Sequence, residues 1–271
     1  MILPETLARL QRSFPRLLLK DYKIIMKICR FVVNEEIKTG VIEDEGVFLL
    51  EGNLKTSKFF RTEEVKFLPP VTPSKIVCVG RNYAEHAAEL GNDVPKEPLL
   101  FLKAPSSIIT DKETIILPPQ SNRVEHEGEL TLVIGRKCKN LTEKENPFDY
   151  IFGYTILNDV TARDLQRKDV QFTRAKSFDT FCPIASLVET DLDVSDIQIT
   201  TKVNGVTKQN GRTSQMVFPI DFLVRYISRQ MTLNEGDIIA TGTPSGVSEL
   251  MTGDVCEIEI EGIGKLSNPV L

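Results

Sequence analysis

The chain has 271 residues, 41% of them hydrophobic and 26% charged, with a formal net charge of −5, ordinary values for a soluble globular protein whose core offsets chain entropy without disulfides or repeats. Lysines and arginines are dispersed among acidic residues and form no basic stripe, which argues against nucleic acid and for a small-molecule partner. No apolar run reaches the roughly 18 residues of a membrane span, and the five cysteines lack CxxC spacing, so neither a membrane, a zinc cage nor a disulfide framework is expected and a reducing cytoplasm fits.

In chain order, residues 1–25 read as an N-terminal extension in which Glu5, Arg9, Arg12 and Arg16 interrupt any signal-peptide core. Met26 opens a strand-rich stretch and is a natural alternative start, in which case the extension carries no function. Over 26–70, runs such as ICRFVV and GVFLL alternate with turn residues, predicting a small antiparallel β module. The proline-rich FLPPVTPSK cannot join a helix or a central strand and predicts a linker into a main domain over 71–271.

Strands are predicted over 75–79, 99–103, 114–117, 125–134, 153–158, 197–203, 237–240 and 255–260, with a hairpin turn at Asn204-Gly205. GRNYAEHAAELG predicts a short helix stopped by Gly91. A second helix is predicted from Thr161, with Thr161 and Asp164 at capping-box spacing. A third opens at Pro219, with Phe222, Leu223, Tyr226 and Ile227 on one core-facing side. Strands outnumber helices without alternating strictly with them, so the class is α+β, predominantly β, and a doubly wound parallel sheet is disfavoured.

The chemistry is expected first in VEHEGELTLVIG. Glu125, Glu127 and Glu129 alternate and so share one face of a strand, where three carboxylates repel one another unless water or a cation relieves them. A solvated edge strand is the ordinary explanation; a Mg²⁺ or Mn²⁺ site, built from hard carboxylate oxygens, is the chemical one. The strand then dives into the apolar LTLVIG, where a boundary carboxylate needs a partner against desolvation, and Asp159 is a second acid at a strand end.

Six segments, VGRNYAEHAAELG, EHEGELTLVIG, GYTILNDVTARDLQ, AKSFDTFCPI, VNGVTKQNGRTSQMVF and EGDIIATGTPSGV, occur in an order that resembles the fumarylacetoacetate hydrolase family in its short form with one catalytic domain. The resemblance implies a mixed β-sandwich roll with few short helices and a divalent cation, Mg²⁺ or Mn²⁺ with Ca²⁺ able to stand in, held by Glu127, Glu129 and Asp159. Glu125 becomes an outer neighbour that can pair with Arg123, and His126 a packed or surface histidine. The resemblance also implies a mobile lid carrying His86 and Glu89, three residues apart on one face of a helical turn, although that spacing alone equally describes a surface pair.

By the same resemblance Arg81 and Tyr83 line the pocket and orient the substrate carboxylate, Lys176 stabilises enolate charge, and Gln166 and the turn at Thr243 face the substrate. The expected substrate is a small 2-oxo acid, and the expected assembly a homodimer. Hydrolysis of a C–C bond in an acylpyruvate or fumarylacetoacetate-like 1,3-diketone is the first expectation. Isomerisation of 2-hydroxyhepta-2,4-diene-1,7-dioate or decarboxylation of oxaloacetate is the alternative on the same site, and a non-catalytic metal-binding relative is the remote one.

Overall fold

Short runs of β-branched and apolar residues dominate the chain, and in the computed structural model, which describes residues 26–44, 46–52 and 54–271, they form strands throughout. The extension expected over 1–25 lies outside the described residues. Among these residues an 11-stranded sheet runs from Leu54–Arg61 at one edge to Leu99–Lys103 at the other. Its centre is Ile151–Asn158, Gly128–Ile134, Ile238–Ala240 and Ile76–Gly80 in spatial order. Every residue of Gly128–Ile134 is buried, as a strand covered on both faces must be.

The N-terminal strands extend this sheet and do not form a sheet of their own. Lys27–Val33 pairs with Glu36–Glu43 on one side, while its first residues pair antiparallel with Leu187–Glu189 on the other. A second sheet of four strands comprises Val206–Arg212, Gln198–Val203, Val255–Ile260 and Gly264–Pro269. The core lies between the sheets, where Leu130 and Leu132 share one cluster with Ile199, Ile258 and Leu266. Asn204 and Gly205 close the hairpin with φ of 51° and 76°, as the dipeptide predicts.

Helices are few and short, so the class is α+β with β structure dominant. No helix among the described residues is long and apolar enough to cross a membrane. Several expected elements differ. The strand over 114–117 reduces to one bridge between Ile115 and Val270. The strand over 125–134 breaks into Val124–Glu125 and Gly128–Ile134, because Glu125 pairs with Thr161 while Gly128 pairs with Asn158. Thr161 belongs to the short strand Thr161–Ala162, and the helix begins afterwards as Arg163–Lys168 without a side-chain cap. On Ile220–Gln230, Leu223 and Ile227 are buried as expected, but Phe222 is exposed and stacks between Phe218 and Tyr226.

Candidate active site

Glu127 falls in the break before Gly128–Ile134, and Asp159 follows the end of Ile151–Asn158, so the pairing of these strands brings their carboxylates together. Two hydrogen bonds lock the ends: the Asp159 N–H donates to the Glu127 carbonyl (2.8 Å) and the Glu127 N–H to Asn158 Oδ1 (2.9 Å). Glu127, Glu129 and Asp159 are all buried, and one oxygen from each lies within 4.8 Å of the others. Glu125 turns away from this cluster. It accepts hydrogen bonds from Arg123 Nε and Arg163 Nε, both at 2.6 Å, which makes it the outer neighbour expected.

Buried cations answer most of the negative charge. Lys176 Nζ donates to Glu127 Oε2 (2.8 Å) and Asp159 Oδ2 (2.7 Å), and Lys103 Nζ to Asp159 Oδ1 (2.6 Å). Arg163 bridges Glu125 and Glu127, and its Nη1 holds Gln166 Oε1 at 2.5 Å. Burial alone would raise the Glu127 pKa, but the Lys176 and Arg163 charges bring it well below the usual carboxylate range. Glu129 behaves oppositely: burial first, then the Asp159 and Glu127 charges, push it well above that range, with the Gly242 N–H (2.8 Å) as its hydrogen-bond donor. An all-oxygen donor set with one under-neutralised carboxylate fits a hard divalent cation, which would supply the positive charge that Glu129 lacks.

Above this floor lies a cavity of about 330 Å³, which Glu127, Glu129, Asp159, Lys176, Arg163 and His86 help to line. His86 comes from the helix Ala84–Glu89, where the i, i+3 spacing sets its Nδ1 3.2 Å from Glu89 Oε2. Its Nε2 has no hydrogen bond to protein among the described residues. Glu89 is itself held by the Gly246 N–H (3.0 Å), and Ser245 Oγ donates to Glu85 (3.2 Å), so the helix rests on the turn after Thr243. Gly246 permits this approach: its φ is +100°, and a Cβ there would sit 2.0 Å from the Lys208 carbonyl oxygen. Arg81, Arg167, Gln166 and Thr243 also face the cavity.

Comparison with known proteins decides what this arrangement is, since residues 75–271 match the family model described as fumarylacetoacetate (FAA) hydrolase C-terminal. The chain belongs to the fumarylacetoacetate hydrolase family. Residues 26–70 match a second model, Rv2993c-like, N-terminal. The oxaloacetate tautomerase YisK of Bacillus subtilis is 40% identical over 79% of this chain and 76% of its own length. A mitochondrial oxaloacetate decarboxylase of Dictyostelium discoideum is 44% identical over 71% of this chain and 91% of its own. The crystal structure of 2-hydroxyhepta-2,4-diene-1,7-dioate isomerase from Mycobacterium marinum superposes with a TM-score of 0.83 at 40% identity, covering 91% of this chain and 98% of that one.

Within this family site one expected residue sits elsewhere. Tyr83 does not line the main cavity: it lines a separate pocket of about 180 Å³ with Glu85, Gln215 and Ser245. Extended backbone would put residues two apart on one side, but the left-handed φ of Arg81 (+57°) interrupts it, so that Arg81 lines the cavity while Tyr83 packs into the core. Its hydroxyl is buried with no hydrogen-bond partner among the described residues, and burial pushes its pKa up. His126 is fully buried between Gln209 Oε1 (3.2 Å) and Ser248 Oγ (2.9 Å), a packed histidine that burial pushes down to about 4. Sequence reading missed Lys103, Arg163 and Arg167. The available signal was a charge closing the apolar run LLFLK, because a lysine there must find a buried counter-charge.

Proposed function

We propose that this family enzyme moves a proton between the enol oxygen and the adjacent carbon of a small 2-oxo dicarboxylate, oxaloacetate first among them, with Mg²⁺ or Mn²⁺ held by Glu127, Glu129 and Asp159. One observation carries the reading: His86, backed by Glu89, lines the same cavity as the carboxylate trio and its lysine. The bound cation would act as a Lewis acid, drawing electron density from the 2-oxo carbonyl.

Lys176, already placed against Glu127 and Asp159, balances negative charge that develops on the enolate oxygen. The Glu89 carboxylate fixes the His86 tautomer with Nδ1 protonated, leaving Nε2 to take the enol proton and return it to carbon. Arg81 and Arg167 supply positive charge for the far carboxylate of the substrate. Phe101 and Phe172, packed edge to face with ring centroids 5.6 Å apart, cover the reacting atoms from water.

Hydrolysis of a 1,3-diketone, the first expectation from sequence, takes second place. The tautomerase, decarboxylase and isomerase relatives support enolate chemistry without a hydrolytic water, as in the isomerase and decarboxylase alternative. Decarboxylation shares the enolate: carbon dioxide leaves with the C–C bond broken, and His86 protonates the carbon. Chelator-stripped protein, with and without Mn²⁺, separates these outcomes when given enol-oxaloacetate, keto-oxaloacetate, the hydroxy-diene dioate and an acylpyruvate. Loss of enol absorbance without carbon dioxide release is the expected result; cleavage of the acylpyruvate alone would overturn it.

A further inference from the structure

Gln209 lies on the strand Val206–Arg212, whose other side chains are largely exposed, yet it is itself fully buried. It reaches out of the four-stranded sheet to the strand that bears the carboxylates. Its Nε2 donates to the Pro244 carbonyl and to Thr243 Oγ1, both at 2.7 Å. Its Oε1 accepts from the Gly128 N–H (3.0 Å), Thr201 Oγ1 (2.8 Å) and His126 Nδ1 (3.2 Å). A backbone N–H can only donate and a carbonyl only accept, so Gly128 and Pro244 fix which end of the amide points where. It follows that His126 carries its proton on Nδ1 and accepts from Ser248 on Nε2.

The contacts close a ring. Gly128 N–H donates to Gln209, Gln209 to Thr243, and the Thr243 hydroxyl back to the Gly128 carbonyl at 2.8 Å. Gly128 is the residue between Glu127 and Glu129, so both of its backbone polar groups are gripped at the point from which the two carboxylates project. Thr243 lines the cavity and follows Gly242, whose N–H holds Glu129. Gly128 leaves the space that the ring needs, since a Cβ there would lie 2.5 Å from Thr201 Oγ1.

We propose that Gln209 is a positioning residue for the active site: through the ring it sets the spacing of Glu127 and Glu129 and aims the Thr243 turn. It touches no substrate and acts through Gly128 and Thr243. An outer partner that orients ligands in this way is worth roughly 10–100-fold in cation affinity or activity. The inference rests on the reading of Glu127, Glu129 and Asp159 as cation ligands, which the wild-type protein tests independently.

The experiment is Mn²⁺ titration of chelator-stripped wild type, Gln209→Glu, Thr243→Val, Thr243→Ser and the double variant Gln209→Glu/Thr243→Val, with thermal unfolding of each. Gln209→Glu keeps the shape but replaces the amide N–H donors, so that the ionised side chain donates to neither Thr243 nor Pro244; Thr243→Val opens the ring at two bonds, whereas Thr243→Ser preserves it. Expected are about tenfold weaker Mn²⁺ binding in each ring-opening variant, near wild-type binding in Thr243→Ser, and a double variant no weaker than the single ones. With only two histidines in the chain, ¹⁵N-imidazole spectra should show the His126 resonances move in Gln209→Glu while those of His86 stay. Folded variants that bind Mn²⁺ like wild type, or two losses that simply add, would overturn the positioning role. Failure of wild type to bind Mn²⁺ would instead overturn the cation site. If Gln209→Glu does not fold, the contrast between Thr243→Val and Thr243→Ser decides.

Discussion

On the floor of the cavity, Asp159 is completely buried between two lysines and Glu127 is gripped by Lys176 and Arg163; on the opposite wall, His86 leans on one carboxylate, Glu89, whose side chain is 32% exposed. The floor sits at the ends of central strands with Glu127 and Asp159 tied to buried cations and Glu129 to a backbone N–H, whereas the wall is a six-residue helix resting on a turn. A cation site tolerates little displacement of its ligands, which favours the interlocked arrangement. A proton carrier must let substrate pass, and a short helix held by a few contacts to a turn can be displaced without disturbing the core.

The largest break in this contrast comes from Asp159→Ala. Lys103 and Lys176 then face each other in the core without their shared carboxylate, and loss of about 3–5 kcal/mol is expected in chemical denaturation, together with loss of Mn²⁺ binding. Adding Lys103→Met should recover part of the stability and none of the binding, separating fold support from ligation. On the wall side, His86→Gln should lower kcat roughly 10²–10⁴-fold while Mn²⁺ affinity and melting temperature stay near wild type. A parallel loss of cation binding would show that wall and floor are not independent.

The pH dependence sharpens the comparison from within the floor. Glu129, whose pKa burial and neighbouring acids raise, holds its proton to higher pH than an ordinary carboxylate, so Mn²⁺ affinity should climb by up to about tenfold per pH unit until Glu129 ionises. The sign for stability follows from the raised folded-state pKa. Its contribution is full below the unfolded carboxylate range and is lost as pH rises through the folded value, so cation-free protein weakens on that climb and Mn²⁺ stabilises it most at the upper end. Calorimetry with chelator and with Mn²⁺, taken upward in pH from the ordinary carboxylate range, reads both. The smallest effect is expected at the exposed contact under the helix Ala84–Glu89, where Ser245→Ala should change stability by no more than about 0.5 kcal/mol.

Alternation along a strand grouped Glu125, Glu127 and Glu129 and left Asp159 as a separate strand-end acid; the family resemblance selected Glu127, Glu129 and Asp159, the three carboxylates that meet in the fold, while Glu125 turns to Arg123 and Arg163. The break at His126 and Glu127 was not legible, since the alternating pattern continues through it and only the pairing of Glu125 with Thr161 creates it. Lys103 and Arg163 were hidden for a related reason. Their role is set by counter-charges 56 and 38 positions away in sequence, which no local pattern records. Tyr83 shows the reverse failing, because adjacency to Arg81 in a recognisable motif says nothing about which residue turns into the cavity. The N-terminal strands were readable as strands, but their fusion with the central sheet depends on Leu187–Glu189, more than a hundred residues downstream.

The most direct test follows the decay of enol-oxaloacetate in wild type and in His86→Gln at equal Mn²⁺ occupancy, verified by titration in the same samples. A Mn²⁺-dependent acceleration in wild type that collapses in the variant, with the cation still bound, is the predicted result. An equally fast variant, or a wild type that binds Mn²⁺ and leaves the enol decay unchanged, would contradict proton transfer by the His86 and Glu89 pair.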